Sequence, residues 1–286
     1  MTRTLSRIIL LVAVGLGCAA LLGAEPPYKK MKPEEFLAEY HKALGSAEAV
    51  QARQSTLAQG KVTMTLVVGG DGQLIGPSTY FSKGDASGLL FHFKNPNYEQ
   101  DHVVANDGEV RAAYQIPGER SPMSDYLFTQ DKLMKDNLIG GALQANWPLI
   151  DLEAHKAKIR YKGIKNRDGQ GQHLVEYRMH KGSGGTKIEL WFDEETFYHV
   201  GSTYTTRIPA GIGSSPDESA RQRDSVITVE ETFSEFRNID GINVPTQWEI
   251  RWSNERFVWS WLSEFNEISH NVDIPQELWE VKLESK

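Results

Sequence analysis

The sequence predicts an α+β protein, mostly antiparallel β, in which a curved sheet forms an incomplete β-barrel wrapped around a few helices. Three observations point there. Apolar residues recur with a period of two through most of the chain from Gly60 onward. Only two stretches carry the helical period, too few for a doubly wound α/β fold. The glycines fall at turns between strand patterns, and strands that alternate apolar with polar residues need a cover for their apolar face.

The elements follow in order. Pro33 stands where a first helical residue often stands, with Glu34 and Glu35 beside the positive helix end. Phe36, Leu37, Tyr40 and Leu44 share one side, and Gly45 can end the helix. From Gly60 the period changes to two, and Val62, Met64, Leu66 and Val68 alternate up to the turn Gly69-Gly70-Asp71-Gly72. Leu89, Phe91 and Phe93 share the face of another strand. Asp107-Gly108 supplies the positive φ angles of a tight hairpin within 103–110. A second helix is expected from its Ser121 cap and Pro122 start, running through Met123, Tyr126, Leu127, Leu133, Met134 and Leu138 to a stop at Gly140-Gly141. Trp147 to Ile150 is read as the return to extended chain. The rest is almost all strand, with turns at Asp168-Gly169, at 182–185 and at Asp240-Gly241, and a long loop over 209–224.

Of 286 residues, 31 are Lys or Arg and 38 are Asp or Glu, giving a formal net charge of -7. A chain this acidic is not expected to bind nucleic acid, which needs clustered cations. Residues 1–24 have a basic start at Arg3 and Arg7, an apolar run from Ile8 and small residues after it. That is the layout of a secretory signal peptide, so residues 25–286 are read as a single domain and the protein as periplasmic. Three readings of the leader stay open. Signal peptidase I can cut after the small residues of Cys18-Ala19-Ala20 or Leu22-Gly23-Ala24. Cys18, the one cysteine, is otherwise a lipidation site that would anchor the chain to the envelope. The apolar run from Ile8 to Ala24 also approaches the length of an uncleaved anchor.

No nucleophile elbow, HExxH, P-loop or Rossmann fingerprint is present. No two of the eight histidines have helical metal-pair spacing, so no metal, no cofactor and no catalytic residues are expected, and the chain is read as a non-enzyme. The acidic clusters Asp193-Glu194-Glu195 and Glu230-Glu231 are read as solvated turn or strand-face charges. The aromatics say more. Trp248, Ile250 and Trp252 share one strand face, and Phe257, Trp259 and Trp261 share the next. A sheet around two helices has more inward positions than a small core needs, and such a concave apolar surface suits a lipid tail. The candidate cavity wall is Met64, Leu66, Phe81, Leu89, Phe91, Phe93, Leu190, Trp248 and Trp259.

Three stretches carry a likeness to a family. They are the helix over 33–45 with Ala58-Gln59-Gly60-Lys61-Val62; Phe93-Lys94-Asn95-Pro96-Asn97-Tyr98 with His102 through Val110; and Lys187 through Asp193 with 226–236 and Asp240-Gly241-Ile242-Asn243-Val244-Pro245. Across roughly 33–270 the chain resembles the LolA/LolB-type outer-membrane lipoprotein-sorting proteins. That resemblance implies an incomplete barrel with helices in its mouth, and a cavity that shields lipoprotein acyl chains or another lipid. It also implies membrane-bound donor or acceptor proteins as partners, and an Arg near the first strands that holds a helical lid closed. Arg53 lies in that region. The chain is longer than typical members, chiefly at 121–150 and 209–224. The alternative reading is a non-catalytic envelope protein with a solid core, working through its surface.

Overall fold

The computed structural model describes residues 31–209 and 224–282. The leader, with Cys18, lies outside the described residues, as do positions 210–223 of the expected loop.

Helix α1 spans Pro33–Leu44, with Pro33 in its first turn and the Glu35 carboxylate accepting from the Lys32 N–H at 3.0 Å. Phe36, Tyr40 and Leu44 are buried, as the spacing requires. A short helix α2, Ala47–Ala52, follows unexpected by the sequence reading. Ser46 caps it, but none of its side chains is buried, so there was no apolar stripe to read.

Five strands come next: β1 Ser55–Val68, β2 Gln73–Lys83, β3 Ala86–His92, β4 Gln100–Asn106 and β5 Glu109–Ala112. After a helical segment come β6 Lys158–Arg167, β7 Gln170–Arg178, β8 Thr186–Asp193, β9 His199–Ile208, β10 Ser225–Ile239, β11 Ile242–Ser253 and β12 Val258–His270. They form one antiparallel sheet in the order β5-β4-β3-β2-β1-β12-β11-β10-β9-β8-β7-β6. Within each half every strand pairs with its chain neighbour, and the β1–β12 pairing joins the halves. β5 and β6 are left as free edges, so the barrel is incomplete. The Asp-Gly turns do what their sequence asks: Asp107-Gly108, Asp168-Gly169 and Asp240-Gly241 all have both φ angles positive.

The second helix is two helices, α3 Pro122–Thr129 and α4 Asp131–Lys135. The Thr129 hydroxyl donates back to the carbonyls of Asp125 and Tyr126, a local bond that competes with helix propagation just before the break at Gln130. Trp147 to Ile150 is not extended chain. It is part of a turn-rich stretch, with a single 3-10 turn at Gly141–Leu143, and the next strand begins only at Lys158. The apolar residues Trp147 and Leu149 mislead here because they serve tertiary burial, both at 0% exposure, rather than a strand face. A last helix, α5 Gln276–Trp279, lies on the outer face of the sheet, where Trp279 packs edge-on to Phe81 at 4.8 Å. Among the described residues no helix is long and apolar enough to cross a membrane.

Candidate functional site

The concave face of the sheet is set by register. Cross-strand partners share a face, so Ala58, Tyr80 and Leu89 line up across β1, β2 and β3, and Met64 and Trp261 across β1 and β12. Continuing outward, Ile250, Glu231 and Ser202 align across β11, β10 and β9. Against this face lies the segment over 121–157, which acts as a plug.

Of the predicted wall, Met64, Leu89, Phe91, Phe93, Leu190 and Trp248 are on the concave face and buried. Leu89, Phe91, Leu190 and Trp248 have 0% exposure, so none of them borders a void large enough for water. Leu66 and Trp259 face each other across β1 and β12 and are only half-buried, close to the β1–β2 and β11–β12 turns. Phe81 is elsewhere. Its neighbour Tyr80 points to the plug, so the strand alternation sends Phe81 to the outer face, under α5. Phe257 also leaves the group assigned to it. It precedes β12, is 40% exposed and covers Gly69. A groove of about 280 Å³ lies outside the sheet at α1 and α2, lined by residues including Leu44, Val50 and Ile150.

Among the polar bonds that fasten the plug to the sheet, which include Tyr126 to Thr206 at 2.9 Å and Tyr177 to Asp136 at 2.7 Å, three places centre on a buried ionisable side chain. The Arg53 guanidinium, at the junction of α2 and β1, donates to the carbonyl of Ala142 at 2.8 Å and of Gln144 at 2.7 Å. Arg53 is 5% exposed, and burial pulls its pKa down to about 10, against the opposing influence of Tyr40 and Tyr80. Beside it Ser82 Oγ accepts from the Ala145 N–H at 2.9 Å. At the second place the Glu231 carboxylate accepts from the Gly140 N–H at 2.8 Å, Trp248 Nε1 at 2.9 Å and the Tyr204 hydroxyl at 2.8 Å. Burial raises its pKa to about 7 in spite of these donors. At the third place Asp101, fully buried on β4, accepts from Tyr98 at 2.5 Å, from Ser124 at 2.7 Å and from Ser121, the cap of α3. Burial raises the Asp101 pKa as well, countered by Ser121, Tyr98 and Ser124.

Two of these groups correct the sequence reading or were missed by it. Glu231 is not a solvated charge. Only Glu230 is on the outer side, where it meets Arg167 at 3.2 Å. The signal was in the alternation: Val229 and Phe233 flank Glu231 on the core face. Asp101 carried no such signal: of the residues two positions away only Val103 is apolar and buried, while Glu99 is exposed, so no alternation marked it. The buried carboxylates meet hydroxyl, indole and backbone donors rather than an imidazole, and no group of three His, Cys, Asp or Glu able to hold a metal is found among the described residues.

Searches with family models and against curated proteins found no match. Solved structures of similar fold include a LolA superfamily protein from Nitrosomonas europaea, with 13% identity over 87% of this chain and 97% of that one, at a TM-score of 0.47. A DUF1329 family protein from Desulfovibrio piger has 13% identity over 86% and 96%, at a TM-score of 0.42. A domain from Vibrio parahaemolyticus named for outer membrane lipoprotein sorting has 9% identity over 86% and 96%, at a TM-score of 0.43. At this level the likeness adds nothing to what the strand order and register establish about the fold.

Proposed function

We propose that this chain is an exported, non-catalytic carrier. It holds an acyl chain of a lipoprotein or another lipid on the concave face of the sheet after the plug moves aside. The observation that carries the reading is the Arg53 guanidinium bonded to two plug carbonyls about ninety residues away in sequence. A latch of this kind, combined with an apolar face beneath it, fits the helical lid that the sequence resemblance implies.

Magnitudes support a polar latch. A sixteen-carbon chain offers on the order of 12 kcal/mol of apolar burial, at about 0.8 kcal/mol per CH₂. The plug buries its own Met123, Leu127, Leu133, Met134, Leu138, Leu143 and Trp147 on the same surface. Exchanging one apolar occupant for another nearly cancels, so the polar fastenings set the balance. Two charge-assisted hydrogen bonds of about 1.5–3 kcal/mol each are enough to do so.

The test uses a synthetic acylated peptide and native mass spectrometry. Arg53→Met is expected to take up the peptide at least tenfold more readily than the wild-type chain. Leu66→Glu, at a half-buried position that tolerates charge, is expected to lower uptake tenfold. Phe91→Glu is not a clean probe, because a carboxylate at 0% exposure would unfold the sheet. Failure of folded wild type and folded Arg53→Met alike to bind would favour the second reading, an interaction protein with a solid core. The zero exposure of Leu89, Phe91, Leu190 and Trp248 is the observation behind that alternative.

A further inference from the structure

The sheet has two free edges, and they differ. β5 is four residues long, and α3 and α4 pack against it. β6 is ten residues long, and no described strand pairs with its outer side. The backbone groups on that side are a template for another strand.

Charge and parity single out the same strand. β6 holds Lys158, Arg160, Lys162, Lys165 and Arg167, and no acid. From residue 156 through 178, the stretch that forms β6, β7 and their turn, seven residues are Lys or Arg and two are Asp or Glu, in a chain of net charge -7. Strict alternation would put Lys165 and Arg167 on the face opposite the first three cations. A bulge prevents that. Lys162 and Gly163, the latter at φ +84°, together stand against Leu174, so the parity shifts by one. All five cations therefore share the outer face, where Lys162 lies 3.6 Å from Glu176 and Arg167 lies 3.2 Å from Glu230. Ile159, Tyr161 and Ile164 take the concave face, each half-buried. The Glu176 carboxyl is held below its usual range by its bond to Arg178, with the charges of Arg178, Lys162 and Arg160 adding to it against burial. A carboxylate on this face is thus favoured.

We propose that β6 accepts an extended acidic segment of a partner protein as an added edge strand. Complementarity sets the pattern of that segment. Acids at alternate positions stand opposite the outer-face cations, and apolar residues between them extend the row of Ile159, Tyr161 and Ile164. Lysines and bulges also guard edge strands against pairing, and β6 has both. That guard is selective. An antiparallel pairing of β6 with β6 of a second copy sets cation opposite cation and is disfavoured, whereas an acidic strand meets opposite charges at the same positions. A polyanion without a peptide backbone meets the charges but leaves the edge amides and the apolar row unused. The inference stands apart from the carrier reading, because it needs neither the plug to move nor a lipid to be held.

The probe is a labelled synthetic peptide alternating Glu with Val, with a Lys-for-Glu version as its control. Fluorescence anisotropy and hydrogen exchange on the full chain read it out. The acidic peptide is expected to bind, and the β6 amides that do not face β7 are expected to exchange at least fivefold more slowly in its presence. The Lys version is expected to leave them unchanged. Lys158, Arg160 and Lys165 are exposed, so the triple reversal Lys158→Glu, Arg160→Glu and Lys165→Glu is expected to keep native circular dichroism. It should weaken binding of the acidic peptide at least tenfold and confer binding of the Lys version. Failure of the acidic peptide to bind the folded wild-type chain overturns the proposal and leaves the cations as an edge guard. Binding without protection of the β6 amides overturns it as well, because the contact is then by charge alone. A wild-type chain that dimerises with its own β6 amides protected overturns it in favour of a second copy.

Discussion

At the scale of single residues, Glu231 shows how burial turns a carboxylate into a structural acceptor with a pH signature. Its folded pKa, about 7, is above the ordinary carboxylate value. Between roughly pH 4.5 and 7 the unfolded chain has released the proton that the folded chain keeps, so this group lowers stability as pH rises through that window and adds no further change above it. Glu231→Gln keeps an acceptor at the site and removes the ionisation. Its stability relative to wild type is expected to improve from pH 5 to pH 8, by about 3 kcal/mol at most. Denaturant melts of both proteins at the two pH values check this, and parallel curves would refute the assignment. Gly140 gives a second residue-scale expectation. Its φ is +93°, and an added Cβ would stand 2.5 Å from the Tyr80 hydroxyl oxygen. Gly140→Ala should therefore cost roughly 2–4 kcal/mol from backbone strain and overpacking together, measured by the same melts.

At the scale of elements, the strands were legible and the plug was not. Alternation and Asp-Gly turns carry strand information within a few residues, which is why the turns at Asp107, Asp168 and Asp240 were readable. The run from Met123 to Leu138 does hold a helical period, yet Gln130 breaks it, because Thr129 bonds its own turn. From Leu138 to Ile150 the apolar residues follow no period at all. They are placed by what they touch across the chain, such as Arg53 on the Ala142 and Gln144 carbonyls, and a window of sequence contains no trace of such partners. Phe81 was misplaced for a related reason. Its aromatic character suited a cavity wall, but parity with Tyr80 put it on the outer face, where α5 covers it. Met64, Leu89 and Phe91 lie on the concave face, as expected, because parity and apolar character agree there.

At the scale of the whole molecule, buried neutral histidines set the response to acid. Burial lowers the pKa of His199 to about 3 and, with the Arg53 charge adding to it, that of His270 to about 4. Below about pH 6.5 the unfolded chain binds protons at these sites that the folded chain refuses, so stability falls as pH drops toward 4. Glu231 and Asp101, both raised by burial, act in the opposite sense, while His102 and His173, lowered by burial, add to the loss, so four imidazoles stand against two carboxylates. The thermal midpoint should therefore decline below about pH 6 and fall most steeply between pH 5 and 4. A midpoint that held level to pH 4 would contradict the burial of both imidazoles.

The central claim is that the plug and an acyl chain compete for one concave face. Hydrogen exchange of the plug during addition of an acylated peptide tests it most directly. The account expects the amides of Gly140, Leu143 and Gln144 to lose protection as the peptide binds, while the paired amides of β11 keep theirs. Bound peptide with undiminished protection at those three amides would contradict it, because the ligand would then sit somewhere other than beneath the plug.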